Sequence, residues 1–228
     1  GYMIEQSLQN RLKQEGLDRP VVTIITQMLV EPDDPAIADP SKYIGQFYSE
    51  DEAKLFSETR GWQLKKDVDR GWRRVVPSPT PLRAIEAETI NTLVHAGTIV
   101  VAAGGGGIPV YYDEQGNLEG LDAVIDKDLA SAVLAREIEA EILAILTSVD
   151  NVSTDFGTPK AKALGRVSLS EMKRLYDEGH FPPGSMGPKV KAAITFMENG
   201  GEMVTITSFD KVCKALRGEA GTRIEPDK

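Results

Sequence analysis

The sequence predicts an α/β fold in which parallel strands are covered by helices on both faces. From residue 84 onward, short apolar stretches typical of strands alternate with helical patterns, and this order calls for parallel pairing with right-handed crossovers. Residues 21–30 are rich in β-branched side chains and free of charge, as expected of a strand that is covered on both faces. Residues 31–76 interrupt this rhythm and predict a small α/β subdomain inserted after the first strand.

The regular elements follow from periodicity and from stop signals. Residues 2–15 have apolar side chains at helical spacing and end at Gly16, although no capping side chain precedes them. The later elements are predicted as helices at 84–96, 128–139, 169–178, 188–199 and 209–216, as strands at 98–103, 141–147 and 202–207, and as a hairpin at 111–124.

The inserted segment has its own signals. Three prolines predict an irregular excursion over 31–45, and Ser49 with Glu52 has the spacing of a capping box that opens a helix to about residue 59. Two short strands are predicted at 62–66 and 72–76 around the polar turn 67–71, and a proline-rich stretch follows at 77–81. These signals divide the chain into a core, residues 1–30 and 77–228, and a subdomain, residues 31–76.

Composition narrows the classes of function. The 228 residues include 41% hydrophobic and 27% charged side chains, and the net charge of −9 argues against a nucleic-acid partner. No apolar run could cross a bilayer and no signal-peptide pattern is seen, so we expect no membrane partner and a cytoplasmic location. The single cysteine, Cys213, excludes an internal disulfide or a multi-cysteine zinc site and is predicted to lie on the apolar side of a helix. No protein metal ligand is predicted.

Four consecutive glycines, Gly104, Gly105, Gly106 and Gly107, follow the predicted strand at 98–103. Glycine lets the main chain come within contact distance of a ligand, and in α/β proteins such runs at strand ends most often meet phosphate. The run fits neither the Gly-x-Gly-x-x-Gly dinucleotide pattern nor the Walker A spacing.

Two lysines fall in the first turns of predicted helices. Asp126 is placed as an N-cap and is followed by Lys127, and Pro188 opens the next candidate helix directly before Lys189. A cation at the positive end of a helix dipole is unfavourable unless an anion binds beside it, so this pattern favours phosphate binding. The competing interpretation of Lys127 is a surface lysine beside two aspartates.

Other polar groups are weaker candidates. Asp150 follows a predicted strand at the edge where open α/β sheets bind ligands, although a turn aspartate explains it equally well. Three arginines, Arg70, Arg73 and Arg74, could bind anions or hold the acidic turns of the subdomain. His95 and His180 are isolated and are expected to be structural.

Four stretches, taken together, resemble carbamate kinases of the amino acid kinase superfamily. They are Arg70-Gly-Trp-Arg-Arg-Val-Val-Pro-Ser-Pro79, Ala103-Gly-Gly-Gly-Gly-Ile-Pro-Val110, Ala123-Val-Ile-Asp-Lys-Asp-Leu-Ala-Ser131 and Gly179-His-Phe-Pro-Pro-Gly-Ser-Met-Gly-Pro-Lys-Val190. The resemblance implies an open, mostly parallel sheet between helices, a small protruding subdomain and a homodimer. It also implies phosphoryl transfer between ATP and carbamate, giving ADP and carbamoyl phosphate, with magnesium and a place in arginine metabolism.

The resemblance carries family roles to particular residues. Lys127 and Lys189 would contact the transferring phosphoryl group, and Asp128 would orient them. Within Pro40-Ser-Lys-Tyr-Ile-Gly45, Lys42 would reach into the site from the subdomain, and Gly104 to Gly107 would bind substrate or phosphate. Nucleotide contacts would fall at Thr147, Asp150, Met186 and Gly187.

The chain departs from the family at its start. Carbamate kinases begin with a strand carrying Gly-Gly-Asn-Ala and a His-Gly-Asn-Gly-Pro-Gln-Val-Gly loop, and neither motif is found here. We therefore expect the 228-residue polypeptide alone to be inactive and the complete protein to be a carbamate kinase. Two alternatives stay open, namely another acyl-phosphate-forming amino acid kinase and a non-catalytic nucleotide-binding or dimerisation fragment.

Overall fold

The computed structural model describes residues 1–67, 70–182 and 185–227. Its helices are α1 Tyr2–Gln14, α2 Pro35–Ala38, α3 Glu50–Arg60, α4 Ala87–His95, α5 Lys127–Glu137, α6 Leu169–Asp177, α7 Met186–Glu198 and α8 Val212–Leu216. Its strands are β1 Val21–Thr23, β2 Gln27–Leu29, β3 Lys42–Tyr48, β4 Leu64–Asp67, β5 Gly71–Val76, β6 Arg83–Ala84, β7 Ile99–Val101, β8 Ile108–Tyr112, β9 Leu118–Gly120, β10 Ile142–Thr147, β11 Ser153–Thr154, β12 Lys162–Ala163, β13 Arg166–Ser168, β14 Met203–Ser208 and β15 Thr222–Glu225.

The strands of the core pair mainly in parallel. β1 pairs with β7, β2 with β8, β10 with β14 and β13 with β15, all in parallel register. β6 and β9 add antiparallel edges to the β2–β8 pair, and β15 lies antiparallel to β14. The prediction of an α/β fold with parallel pairing and intervening helices is confirmed, and so is the hairpin, which is formed by β8 and β9.

The strand predicted over 21–30 is wrong in its continuity. The chain leaves β7 after Thr23 and joins β8 at Gln27, so one apolar run serves two strand pairs. Between them, the Thr26 hydroxyl donates to the Ile24 carbonyl at 3.1 Å and accepts the Ala103 N–H at 2.8 Å. Ile25, which is 75% exposed, lies in the link between the two strands, and the other residues of 21–30 are buried or half-buried.

The subdomain segment contains a three-stranded antiparallel sheet in the order β3-β5-β4, with α3 beside it. The irregular excursion predicted for 31–45 is wrong, because α2 and the start of β3 lie within it. The pairing of β3 with β5 shifts its register between Ile44 and Tyr48, and Gly45, with φ of +69°, lies within this irregular part of β3. Glycine adopts a positive φ without the steric cost that a side chain would add. The capping box of α3 and the β4–β5 hairpin are confirmed, although Val68 and Asp69 of the predicted turn lie outside the described residues. The domain limits 31–76 stay a prediction.

Several element limits differ from the predictions. Residues 83–84 pair with β2, so the helix expected from residue 84 begins at Ala87. Short strands at 153–154, 162–163 and 166–168 were not predicted, because each is too brief to show alternation. α7 begins at Met186, which puts Pro188 at its third position; a proline is tolerated there because the first four N–H groups of a helix lack intrahelical partners.

The last predicted helix is a single turn of 3-10 helix, Phe209–Lys211, followed by α8. Cys213 is exposed there, so its predicted place on the apolar side is wrong. The short α8 turns Ala215 inward instead, and Ala215 is fully buried.

Helix α5 lies between two hydrophobic cores. Ala132 and Ala135 belong to the larger core, which α6, α7 and the sheet of β10, β13, β14 and β15 enclose. Ala130 and Leu134 belong to the smaller core around Met28 and Ile90. The small alanine side chains let both cores pack closely against α5, so contacts on two sides hold its N-terminus in place.

We expect Phe196→Ala to lower the free energy of unfolding by about 3–5 kcal/mol, because the ring is 2% exposed and its loss leaves a cavity in the larger core. Phe209→Ala is the matched control, since Phe209 is 70% exposed and its loss should change the free energy by less than about 0.5 kcal/mol. Urea unfolding followed by circular dichroism measures both, and equal effects would contradict the core assignment.

Candidate active site

Helices α5 and α7 both begin at the edge of the sheet of β10, β13, β14 and β15 where the parallel strands β10 and β14 have their carboxyl ends. After a short loop, α5 is followed by β10 and α7 is followed by β14, and these two strands are parallel neighbours. The helix N-termini therefore lie where the strands end, the edge at which open α/β sheets bind ligands. This topology brings Lys127, Asp128 and Lys189 to the same edge as Thr147 and Asp150.

Asp126 caps α5 and pairs with a lysine of the subdomain. Its Oδ1 accepts the N–H groups of Asp128 and Leu129 at 2.9 and 3.4 Å, while its Oδ2 accepts a hydrogen bond from Lys42 Nζ at 2.6 Å. Burial alone would raise the pKa of Asp126, but the hydrogen bond and charge of Lys42, with the two amides, hold that pKa below its ordinary value. The carboxylate is therefore ionised and fixed.

Asp128 joins the two lysines predicted from the helix starts. Its Oδ2 accepts a hydrogen bond from Lys189 Nζ at 2.9 Å and lies 3.6 Å from Lys127 Nζ. Asp128 and Lys189 have side chains only 9% and 14% exposed, whereas Lys127 is 57% exposed. One buried carboxylate thus orients a buried and an accessible ammonium group at the same place.

The structure brings together the predicted residues Lys42, Lys127, Asp128 and Lys189. Sequence reasoning identified Asp126 only as a helix cap and missed its pairing with Lys42. The cap itself was visible in the spacing, but a partner 84 residues away in the chain leaves no local signal.

The glycine run forms a tight turn with two different sides. At Gly106, with φ of +137°, a Cβ atom would lie 2.4 Å from the Ile125 carbonyl oxygen, and at Gly107 it would lie 2.7 Å from Met28 Cγ. At Gly104 and Gly105 a Cβ would meet no atom within 4 Å, and both residues are exposed. Packing therefore requires Gly106 and Gly107, while Gly104 and Gly105 border a cleft of about 450 Å³.

The predicted nucleotide residues lie at the ends of β10 and at the start of α7. Thr147 is the last residue of β10, and the Asp150 carboxylate accepts hydrogen bonds from Ser208 Oγ at 2.6 Å and Lys211 Nζ at 2.5 Å. The bonds from Lys211 and Ser208 lower the pKa of Asp150. Within the described residues, Asp150 forms no hydrogen bond or ion pair with Asp126, Asp128 or their lysine partners.

Met186 and Gly187 open α7. The Gly187 N–H donates to the Pro182 carbonyl at 2.8 Å, and a Cβ at Gly187 would lie 2.9 Å from the same oxygen, so only glycine fits this turn. Pro183 and Gly184 of the quoted motif lie outside the described residues.

The weaker candidates have other partners. Arg73 lies 3.6 Å from Asp67, Arg74 stacks on Trp62 and Arg70 lies over Phe47, all within the subdomain. His95 Nδ1 lies 2.9 Å from the Asn91 carbonyl, and His180 lies between Asp155 and Glu178. These contacts account for both histidines structurally.

Within residues 1–67, 70–182 and 185–227, no group of three or more acidic, histidine or cysteine side chains could hold a metal ion. None of the helices in these ranges is long and apolar enough to cross a membrane.

Residues 42–208 match the model of the amino acid kinase family. The fold agrees with this match, since helices flank a sheet with parallel strands and a charged cluster lies at the strand ends. The match and the fold define the protein as a kinase of this family.

Individual relatives narrow the class. The carbamate kinase of Pyrococcus horikoshii is 50% identical over 226 residues, covering 99% of this chain and 72% of that protein. The carbamate kinase of Thermococcus kodakarensis is 51% identical over 224 residues, covering 98% of this chain and 71% of that protein. The solved structure of a carbamate kinase from Giardia lamblia bound to AMP-PNP has a TM-score of 0.89 and 43% identity, covering 100% of this chain and 72% of that chain. The chain belongs to the carbamate kinases.

We expect Gly106→Ala to destabilise the protein by about 1–3 kcal/mol, because the new Cβ would collide with the Ile125 carbonyl at a positive φ. Gly105→Ala is the matched control and should change the unfolding free energy by less than about 0.5 kcal/mol, since open space surrounds that position. Thermal unfolding by calorimetry compares them, and an unaffected Gly106→Ala protein would show that the turn does not need glycine there.

We expect the stability difference between the wild type and Asp126→Asn to depend on pH in one direction. Because the pKa of Asp126 is lowered in the folded state, its contribution is present above the ordinary aspartate value of about 3.9 and is lost as the pH falls through the lower folded value. Urea titrations from pH 7 to pH 3 should show a constant difference down to about pH 5 and a shrinking one below about pH 4. A difference that grows on acidification would contradict the assignment.

Proposed function

We infer that this protein transfers a phosphoryl group between ATP and carbamate, interconverting them with ADP and carbamoyl phosphate. The observation that carries the proposal is the meeting of Lys127 and Lys189, from two helix starts, on the single carboxylate of Asp128. The similarity to carbamate kinases over almost the whole chain supports the same reaction.

The chemistry matches what this cluster can supply. Carbamate already carries an anionic oxygen, so the attacking group needs no general base. The reaction needs alignment and neutralisation of the charge on the transferring phosphoryl oxygens. The lysines of this partly buried site provide both, because they are positioned before the reaction begins.

Each residue of the cluster receives a proposed role. Lys127 and Lys189 contact the transferring phosphoryl group, and Asp128 fixes the direction of both ammonium groups. Lys42 approaches from the subdomain and neutralises charge on the carbamate side. Gly104 and Gly105 line the cleft and are proposed to bind substrate or phosphate. The Gly104 N–H already donates to the Ala102 carbonyl at 2.7 Å, so the Gly105 N–H is the proposed donor. Gly106 and Gly107 pack against Ile125 and Met28 behind them.

The nucleotide is proposed to bind at the ends of β10 and β14. Thr147 and Asp150 lie at the carboxyl end of β10, and Met186 and Gly187 open α7, whose N-terminus suits a phosphate. The binding of AMP-PNP by the Giardia lamblia relative supports an adenine nucleotide as the ligand.

Magnesium is proposed as a counter-ion of the nucleotide phosphates. The described residues build no protein cage for it, since Asp126 and Asp128 are both engaged by lysines and no group of three potential ligands is present among them. Magnesium commonly binds through substrate phosphates and one or two carboxylates. The roles assigned above are those of the chain's own side chains.

The homodimer, the cytoplasmic location and the link to arginine metabolism remain proposals drawn from the resemblance. Sedimentation equilibrium tests the first directly, and a monomer at micromolar concentration would contradict it.

Substrate choice separates this function from its alternatives. Carbamate should be preferred over N-acetylglutamate, glutamate and aspartate as phosphoryl acceptor, and preference for an amino acid would point to another acyl-phosphate-forming kinase. Nucleotide binding without any turnover by the version extended to the relatives' length would point to a non-catalytic protein. Turnover is measured on the 228-residue chain and on a version extended to the relatives' length, because inactivity of the chain alone is itself a prediction.

In the version extended to the relatives' length, we expect Lys189→Met to lower the rate of ATP formation from ADP and carbamoyl phosphate about 100- to 1000-fold, since one charged donor to the phosphoryl group is lost. Lys127→Met should act in the same direction. Lys191→Met is the matched control, because Lys191 is exposed on the same helix and should leave the rate unchanged. A coupled ATP assay and calorimetric ADP binding are the measurements, and wild-type turnover by Lys189→Met would overturn its role.

A further inference from the structure

The Asp126 carboxylate does more than a helix cap requires. Ser168 caps α6 with a single hydroxyl that accepts the Glu171 N–H at 3.2 Å, and Ser49 caps α3 in the same way. At Asp126 one oxygen performs this task for α5, and the other oxygen binds Lys42 at 2.6 Å. The second oxygen is therefore available for a role outside the helix.

Lys42 has no other anchor among the residues that the structure describes. The only hydrogen bond and the only ion pair of its side chain there are with Asp126. A lysine side chain has about 2 kcal/mol of rotamer freedom, so an unpaired Lys42 would sample many positions. Repulsion by the ammonium groups of Lys127 and Lys189 would favour positions away from the site.

The pair also lies beside the backbone junction between the subdomain segment and the core. Lys42 is opposite Val76 in the β3–β5 pair, and the next residue, Pro77, accepts the Val124 N–H at 2.9 Å. Val124 is two residues before Asp126. The Lys42–Asp126 pair and the hydrogen bond from Val124 to Pro77 therefore both connect this end of the subdomain segment to the chain at the start of α5.

From these contacts we propose that Asp126 is a positioning residue, which holds Lys42 over the site and fixes the subdomain against α5. The expected effect on turnover rests on the proposed function, whereas the positioning of Lys42 and of the subdomain does not. Asp126 need not touch the substrate. It acts through Lys42, whose ammonium group has two further donors for a phosphoryl or carbamate oxygen while it remains bound to Asp126.

A double-mutant cycle in the version extended to the relatives' length tests the effect on turnover. Asp126→Asn keeps an acceptor for the cap but loses the charge, and we expect kcat to fall about 100-fold with little change in the KM for ADP, as for a misplaced catalytic group. The pair Asp126→Asn with Lys42→Met should be no slower than Lys42→Met alone, because Asp126 acts through Lys42. A further 100-fold loss in the double variant would overturn the proposal.

Asp113→Asn is the matched control. The Asp113 carboxylate also accepts backbone N–H groups, those of Gln115 and Asn117 in its own turn, and within the described part of the chain it forms no ion pair and no hydrogen bond to the subdomain segment. Its replacement should leave kcat unchanged. Should Asp126→Asn fail to fold, Asp126→Ser, another good cap residue, takes its place in the same cycle.

A distance measurement separates this proposal from the proposed function. Nitroxide labels at the exposed Cys213 and at Glu58→Cys on α3 report the separation of the subdomain segment from the core by pulsed electron resonance. Asp126→Asn and Lys42→Met should each broaden the distance distribution, and Asp113→Asn should not. An unchanged distribution in Asp126→Asn would overturn the positioning role. Absence of carbamoyl phosphate turnover by the version extended to the relatives' length, with the broadening intact, would overturn only the proposed function.

Discussion

The buried N-terminus of α5 is the constraint on which the site depends. Because α5 packs between two cores, its first amides cannot be left to solvent, and the Asp126 side chain accepts two of them. Asp126 and Asp128 are then two carboxylates with little exposure, separated in the chain by a single residue. Buried charges of one sign are costly unless cations pair with them, so the positions of Lys42 and Lys189 follow from the burial of α5.

The same packing explains part of the glycine turn. Ile125, directly before the cap, places its carbonyl oxygen where a side chain at Gly106 would have to lie. Gly106 therefore packs against the residue that precedes the cap of α5, and its neighbour Gly107 packs against Met28. Only Gly104 and Gly105 are left with open space in front of them. A run that looks uniform in the sequence thus has a structural half and a half available to a ligand.

How much could be predicted depended on whether the signal was local. The capping box at Ser49, the N-cap at Asp126 and the lysines in two first helical turns could all be read from neighbouring residues. The break within 21–30 could not, because it results from Thr26 binding the distant Ala103. The exposure of Cys213 depends on how the short α8 turns Ala215 inward. The pairing of Lys42 with Asp126 joins two segments whose relation only the folded chain defines.

The charge of the cluster shows why a site made of ion pairs can still bind an anion. Lys42, Lys127 and Lys189 outnumber Asp126 and Asp128, so the local balance is positive before any ligand arrives. Each ammonium group has three donors and uses only part of them on its aspartate. An entering phosphoryl group can therefore be bound by cations that already have fixed directions. Little reorganisation is then required at the moment of transfer, and this preorganisation is the main source of electrostatic catalysis. The aspartates reduce the net charge of the cluster, but they also give the lysines the directions on which that catalysis depends.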